Sequence, residues 1–341
     1  MTTTRRGSDA PTVPPRTGAR TALLAAALVL LVGVVVVSVG IGAHAVAPTE
    51  VVRALLAFDG SGDHLVVRDI RVPRALLAIA VGAALAVAGV LVQVLSRNPL
   101  AEPGVLGVTA GAGFAITVGT ALGIAAAPVA ELGLAVVGAV AAAVLVYSVG
   151  HRSPLRLVLT GVALSAVLAG VSLGLNLMMP TVFDRFRFWA VGSLAGREQA
   201  PTTLPVLAIA LGVVAALLLT RQLNAIALGD AVAHTLGVNV ARVRLAALVV
   251  ITVLAGAATA VAGPILFVGL IVPHVARRAA GGSVPWLMGF AVVFGPILLL
   301  VSDIGSRVLL PTGEVPVAIV TAFLGGPVLI WAVRRYGAAA L

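Results

Sequence analysis

Ten long apolar runs, separated by shorter segments that carry most of the charges, constrain this chain more than any other feature of its sequence. Each run is close to the ~20 residues that an α-helix needs to cross a lipid bilayer. Inside lipid, only helices and closed barrels satisfy every backbone polar group. The pattern therefore predicts an all-α, polytopic membrane protein with about ten transmembrane helices. The predicted spans are residues 21–43, 74–96, 104–124, 129–149, 155–178, 201–220, 243–262, 264–279, 285–303 and 314–333.

The small number of charged residues supports this interpretation and excludes a water-soluble protein. Only 10% of the residues are charged and 60% are hydrophobic, with a mean hydropathy of +1.16. A soluble domain has about 25% charged residues, so membrane lipid must cover most of this surface. The chain has no cysteine, which excludes disulfides and thiolate metal sites.

The distribution of arginine predicts the orientation of the chain. An even number of spans places both termini on one side, and that side carries fourteen of the 22 arginines. Positively charged loops stay inside, so both termini are predicted to be cytoplasmic, in the inner or plasma membrane. Residues 1–20 are polar, basic and rich in proline, which predicts a disordered cytoplasmic tail before a transmembrane domain over 21–335. Alternatively, the run is a signal peptide, since Ala43-His44-Ala45 and Ala45-Val46-Ala47 resemble cleavage sites.

Two segments rich in glycine and alanine indicate an internal repeat. Gly82 to Leu91 matches Gly256 to Ile265 at seven of ten positions, with an offset of 174 residues. In the predicted topology the first segment runs inward and the second outward, as in an inverted-topology repeat. A chance match between segments of such biased composition is the alternative. The short run after the second segment begins at Gly263-Pro264, so a broken or partly re-entrant helix is expected there.

Several functional classes are disfavoured by what the chain lacks. There is no lysine and hence no standard P-loop, so any ATP hydrolysis must belong to a partner subunit. The arginines are scattered, which argues against nucleic-acid binding. Neither His-Glu-x-x-His nor Gly-x-Ser-x-Gly occurs, and His274 has no neighbouring ligand, so no enzyme activity, metal site or cofactor is predicted. A secondary transporter remains an alternative, although no acidic relay lies at a span centre.

Polar segments between the spans, and polar residues within them, are candidates for function. Arg71-Val-Pro-Arg74 enters the second span, and Asp303 and Arg307 are spaced to pair on one helix. Residues 223–238 indicate a short amphipathic helix between two glycines, which would dock on a partner or lie on the membrane surface. An aspartate at the start of that helix suits the helix dipole. Three polar side chains in apolar spans would line a path or make packing hydrogen bonds, namely Gln93, Ser172 and Asn176.

These segments resemble the FecCD family, the permeases of ABC importers for iron-siderophores, haem and cobalamin. The resemblance covers about residues 65–335. Several long motifs in one order make it more specific than any single motif. Its carriers are Arg71 to Arg74, Arg97-Asn-Pro-Leu-Ala-Glu-Pro-Gly-Val-Leu-Gly107, Leu228 to Val238, Gly263 to Arg277, and Asp303 to Pro316.

The resemblance implies a permease subunit with ten helices that works as a homo- or heterodimer. It implies a ferric siderophore as substrate, with cobalamin or haem as alternatives. Two ABC ATPase subunits would dock on the cytoplasmic segment 221–241, where His234 stands in place of the family's common Arg, Lys or Ser. An extracytoplasmic substrate-binding protein would dock on the outer face, at Arg71, Arg74 and Arg307. The residues implied in ATPase coupling are Leu228, Gly229, Asp230, Ala233, His234, Leu236 and Gly237.

Overall fold

The computed structural model describes residues 17–42, 46–150, 153–197, 202–310 and 313–336. Within these ranges all regular structure is helical, which confirms the all-α prediction. The α-helices are α1 (Thr17–Gly40), α2 (Pro48–Leu56), α3 (Gly62–Leu65), α4 (Val72–Ser96), α5 (Val108–Ala121), α6 (Pro128–Gly150), α7 (Pro154–Met178), α8 (Pro180–Ala190), α9 (Thr203–Leu218), α10 (Thr220–Ala227), α11 (Asp230–Thr235), α12 (Val240–Ala262), α13 (Val268–Ala280), α14 (Val284–Val308) and α15 (Val317–Tyr336). A π-helical stretch, Val66–Arg71, joins α3 to α4, and a 3-10 turn, Pro103–Leu106, precedes α5.

The helices coincide with the predicted spans. Each of the ten apolar runs overlaps one helix, in chain order α1, α4, α5, α6, α7, α9, α12, α13, α14 and α15. Six helices are long and apolar enough to cross a membrane, and a seventh span results if α9 and α10, which meet at 53°, are taken together. Helix α5 and residues 317–331 of α15 are apolar but shorter. In the part of the chain that the structure describes, helix length alone accounts for up to seven spans.

Helix α4 forms the centre of the bundle. Its residues from Val81 to Leu95 are almost all buried, and it packs against α12, α13 and α14. By contrast, α1, α6 and α7 leave most of their apolar side chains exposed. Exposed apolar surface on this scale is stable only when lipid or another subunit covers it.

Paired glycines let the central helices touch backbone to backbone. A Cβ added at Gly89 would lie 2.0 Å from the carbonyl oxygen of Gly269 in α13. One added at Gly82 would lie 2.6 Å from the carbonyl oxygen of Gly295 in α14. No side chain fits at these distances, so glycine at both crossings sets how closely α4 approaches its neighbours.

The predicted break before α13 is present. Residues 263–267 are not helical, and Gly263 and Phe267 have positive φ values of 73° and 71°. The Phe267 N–H donates a hydrogen bond of 2.8 Å to the carboxylate of Glu102. Burial raises the pKa of Glu102, and this hydrogen bond opposes that shift. The carboxylate thus supports the N-terminus of a helix that begins inside the bundle.

Two predictions concern the N-terminal part of the chain. Residues 1–16 of the predicted tail lie outside the described ranges, whereas Thr17 to Arg20 already form the first turn of α1. The first alternative cleavage site, at residues 43–45, also lies outside the described ranges, as does the first residue of the second, at 45–47.

Candidate functional site

Segment 221–241 folds into α10, α11 and the start of α12 at one end of the bundle, called the α11 end below. As the pattern predicts, α11 lies between Gly229 and Gly237. Both glycines have positive φ, 115° and 76°, a conformation that residues with a Cβ rarely adopt. Beyond α11, the Val238 N–H bonds to the carbonyl oxygen of Ala233 at 3.0 Å, which closes the helix end. The two glycines therefore set the length of α11.

An apolar face of the α11 segment points out of the molecule. Leu228 and Leu236, which flank α11, are 66% and 62% exposed, and Val232 is 41% exposed. Val232 and Leu236 are four residues apart on α11 and its C-terminal end, so they lie on one side of it, whereas Leu228 precedes the non-helical Gly229. On the opposite side, Ala233 is fully buried against the bundle. A short helix with one apolar side exposed fits a groove on a partner protein.

Asp230, the first residue of α11, binds two arginines that sequence reasoning did not assign to this site. Its Oδ1 lies 2.7 Å from Nη2 of Arg97, which follows α4. Nη2 of Arg244 in α12 lies 3.0 Å from Oδ1 and 2.9 Å from Oδ2. Arg97 is 133 positions from Asp230 in the chain, so no local spacing could reveal the contact. The dipole role predicted for Asp230 is therefore only part of what this carboxylate does.

Two further features define the surroundings of α11. The side chain of Asn224 in α10 accepts a hydrogen bond of 3.0 Å from the Val284 N–H, at the start of α14. A cavity of about 390 Å³ lies between α11, α12 and the α6–α7 connection, lined by side chains that include Tyr147, His234 and Arg244. Helix α11 is thus attached to the bundle on one side and borders open space on another.

At the opposite end of α4, called the Arg74 end below, two arginines share the buried carboxylate of Asp303. Arg74 Nε and Nη2 each lie 2.9 Å from Oδ1, and Arg307 Nε lies 3.1 Å from Oδ2. Arg74 Nη2 also pairs with Glu314 at 2.8 Å. The Asp303–Arg307 pair expected from the sequence is confirmed, and Arg74 joins it from a distant part of the chain.

Arginines at the Arg74 end also bind the C-terminus of α1. Arg71 Nη1 donates to the carbonyl oxygens of Val39 and Gly40 at 3.1 and 2.7 Å. Arg307 Nη1 donates to two nearby carbonyls at 2.9 and 3.0 Å. The last carbonyls of a helix have no partner within it and carry partial negative charge. Two guanidinium groups therefore fasten α1 to the bundle.

The arginines predicted to dock a binding protein lie inside the protein. Arg71, Arg74 and Arg307 are only 4%, 5% and 4% exposed, and their donors face acceptors of this chain. A partner would reach them only after this end of the bundle opens. Arg53 and Arg68, in the segment before α4, are exposed instead. Docking by the three buried arginines stays a prediction.

The three polar residues predicted to line a path have different surroundings. The Gln93 amide donates to two backbone carbonyls at 3.2 and 3.3 Å, and its Oε1 accepts from Arg277 at 2.6 Å. These contacts match the packing alternative and join α4 to α13. Ser172 and Asn176 are buried on α7, and Asn176 Oδ1 has no hydrogen-bond partner among the described residues.

A second cavity, of about 600 Å³, opens at the Arg74 end. Arg185, Arg197, Glu131 and Glu314 bring charges of both signs to its wall. Trp189 also lines it, and within the described ranges the indole N–H of Trp189 has no hydrogen-bond partner. This volume lies in the range of small-molecule sites. Each end of α4 therefore lies near both a charge cluster and a cavity.

Comparisons with known proteins show which family this chain resembles along most of its length. A family model described as the FecCD transport family matches residues 29–335, which include both ends of α4 and all of α11. The chain belongs to the FecCD transport family. It is a multi-pass membrane permease, and the resemblance seen in its motifs is confirmed. The match also explains the absence of catalytic motifs, because such proteins are transport components.

Individual relatives of this FecCD-family permease match nearly the whole chain. The ferric enterobactin transport system permease protein FepD of Escherichia coli (strain K12) is 44% identical over 90% of this chain and 93% of its own length. The probable siderophore transport system permease protein YfiZ of Bacillus subtilis (strain 168) is 36% identical over 92% and 96%. A solved structure described as an inward-facing metal-chelate type ABC transporter has a TM-score of 0.81 and 27% identity, covering 93% of this chain and 99% of that one.

Proposed function

We propose that this FecCD-family permease is the transmembrane subunit of an ABC importer that carries a ferric siderophore. The observation that carries the proposal is 44% identity to a ferric enterobactin permease over almost the full length of both chains. The second relative is also named for siderophore transport, which favours the same substrate class.

ATP hydrolysis in this importer resides in two copies of a separate ATPase, which dock on the α11 end. The exposed apolar side of the α11 segment, at Leu228, Val232 and Leu236, supports this assignment. Gly229 and Gly237 set the length of the docking helix. ATP shifts the permease between conformations only if the ATPase binds one of them more tightly, so α11 must transmit that preference.

The α11 end is cytoplasmic in this proposal and the Arg74 end faces outward. All ten helices that coincide with apolar runs cross the membrane, and both termini lie in the cytoplasm. Helices α5 and α13, with 14 and 13 residues, are shorter than a free span, but both begin at fully buried residues, Val108 and Val268, so protein covers the backbone there, as a membrane requires. The sequence similarity between segments of α4 and α12 supports an inverted repeat, because the end of α4 and the start of α12 meet at Asp230 and the two packed helices thus run in opposite directions.

An extracytoplasmic binding protein delivers the chelate to the Arg74 end, and a second permease subunit completes the path. The exposed apolar side of α7 supports a subunit contact there. Ser172 and Asn176 on α7 are the proposed path residues. Because Arg71, Arg74 and Arg307 are buried, docking at these arginines requires the cluster to open, which would link arrival of the binding protein to a change in the permease.

Uptake by cells that produce this chain with its cognate ATPase and binding protein tests the substrate. Labelled ferric enterobactin, hemin and cobalamin are supplied separately, with cells lacking only this chain as the control. Accumulation of the ferric siderophore but not of the other two is expected. Accumulation of hemin or cobalamin alone would contradict the siderophore assignment, and accumulation of none by an assembled complex would contradict an importer.

A further inference from the structure

A single carboxylate joins α11 to two membrane helices. Asp230 in α11 binds Arg97 at the end of α4 at 2.7 Å and Arg244 in α12 at 2.9 and 3.0 Å. The Arg97 Nη2 also lies 3.5 Å from the carbonyl oxygen of Ile226 in α10. Three separate elements thus meet at one charged group.

Folding stability does not explain this cluster. The side chains of Arg97 and Asp230 are 48% and 42% exposed, and that of Arg244 is 29% exposed. Ion pairs exposed to this degree are screened by water and add little to stability. These pairs thus add little to the stability of the fold, but they do join α11 to α4 and α12.

The backbone conformation of Arg97 is unusual for a residue with a side chain. It has φ 51° and ψ 31°, the left-handed conformation that glycine or asparagine adopts with less strain at the end of a helix. Phe267 is the only other residue besides glycine with positive φ among those the structure describes. In this conformation the side chain of Arg97 reaches Asp230 at 2.7 Å.

Helix α4 extends the connection to the far end of the molecule. It is about 37 Å long at 1.5 Å per residue and lies at the centre of the bundle. Arg97 follows its last residue, and Arg74 near its start holds Asp303 and Glu314. A displacement of α11 that is passed to Arg97 would therefore move the helix that carries the opposite charge cluster.

We propose that Arg97, Asp230 and Arg244 form a clamp that makes α4 and α12 follow the movement of α11. Arg97 and Arg244 are positioning residues, since they act through Asp230 and touch no substrate. The cavity of about 390 Å³ beside α11 leaves room for such a movement. This inference rests on the proposed function, in which an ATPase drives α11.

The experiment measures substrate carried per ATP hydrolysed in proteoliposomes that contain the permease, its cognate ATPase and its binding protein, with ferric enterobactin as the probe. The variants are Arg97→Gln, Asp230→Asn and Arg244→Gln. Each is expected to lower this ratio by about fivefold or more, the smallest effect typical of coupling between distant sites. Co-purification of the ATPase and thermal unfolding of the complex should stay unchanged, because the apolar docking side is intact.

Two control variants separate the clamp from general damage. Asp230→Glu keeps the charge and should retain most of the coupling. Arg242→Gln removes an exposed arginine that lies two residues before Arg244 on the same helix. Arg242 makes no ion pair among the described residues, so this variant should match the wild-type ratio.

Each outcome decides between the alternatives. Wild-type transport per ATP in all three clamp variants would overturn the clamp while leaving the proposed function intact. Loss of ATPase binding in these variants would also overturn it, since the cluster would then serve docking or folding. If the unaltered complex neither hydrolyses ATP nor carries the chelate, the proposed function itself fails.

Discussion

At the scale of single residues, the carboxylate of Asp303 is a buried charge that requires charged partners. It is fully buried between Arg74 and Arg307, and the same arginines reach Glu314 and the end of α1. Burying charges is unfavourable unless every group finds partners, which these contacts supply. The cluster therefore joins α1, α4 and α14 in an all-or-none arrangement.

Replacing Asp303 with alanine tests this interpretation. Asp303→Ala leaves two guanidinium groups buried without their partner, so we expect a loss of about 3–5 kcal/mol in stability. Asp184→Ala is the matched control, because Asp184 pairs with Arg187 on an exposed surface. Thermal unfolding of the purified protein in detergent compares the two. Equal unfolding temperatures for both variants would show that the buried cluster is not needed for the fold.

The same cluster bears on docking of the binding protein. If docking opens the cluster and pairs Arg74 with the binding protein, Arg74→Gln should weaken binding of the cognate binding protein by about tenfold or more, because truncating one member of a desolvated charge pair across an interface is costly. Arg53→Gln, at an exposed arginine of the same end, should change the affinity less than about threefold, and less still at high salt. Binding to the permease in nanodiscs measures both. An Arg74→Gln variant that stays folded and binds normally would remove this arginine from docking.

At the scale of elements, the positions of the helices could be predicted from the sequence, but the side-chain contacts that join the helices could not. The apolar runs predict the bundle helices because the bilayer imposes a length and an apolar surface on each. The break at residues 263–267 was foreseeable from Gly263-Pro264, and the ends of α11 from its two glycines. The Arg97–Asp230–Arg244 cluster was not, because residues far apart in sequence form it and exposed charges carry no periodic signal.

Glycine at the α4–α14 crossing provides a test at this scale. A Cβ at Gly295 would lie 2.2 Å from the carbonyl oxygen of Gly82, so Gly295→Ala should separate the helices at a cost of about 1–3 kcal/mol. Gly289 lies on the same helix and has nothing within 4 Å of an added Cβ. Gly289→Ala should therefore unfold at the wild-type temperature or slightly above it. Thermal unfolding in detergent distinguishes them, and tolerance of Gly295→Ala would contradict close backbone contact.

The exposed apolar side of the α11 segment is a second element with a testable role. Leu236→Gln should reduce the amount of cognate ATPase that co-purifies with the permease by about tenfold, because apolar anchors at the centre of an interface carry much of its binding energy. Arg221→Gln, an exposed change in the same segment, serves as the control and should retain the ATPase. Full retention by the Leu236→Gln variant would favour the other interpretation of this segment, a helix that lies on the membrane surface.

At the scale of the whole molecule, the permease is a helical bundle with one charge cluster at each end of its central helix. The cluster at the Arg74 end is buried and holds α1, α4 and α14 together. The cluster at the α11 end is exposed and attaches the proposed ATPase-docking helix. This arrangement suits a protein that receives substrate at one end and a mechanical signal at the other.

The energy source for transport distinguishes an ABC importer from a secondary transporter. The measurement is uptake of radiolabelled ferric enterobactin into proteoliposomes, with the permease reconstituted alone, with its ATPase, and with its ATPase and binding protein. Uptake is expected only when ATP and both partners are present, and none is expected in response to a proton gradient. Uptake by the permease alone, driven by a proton gradient without ATP, would contradict an ABC importer and identify a secondary transporter.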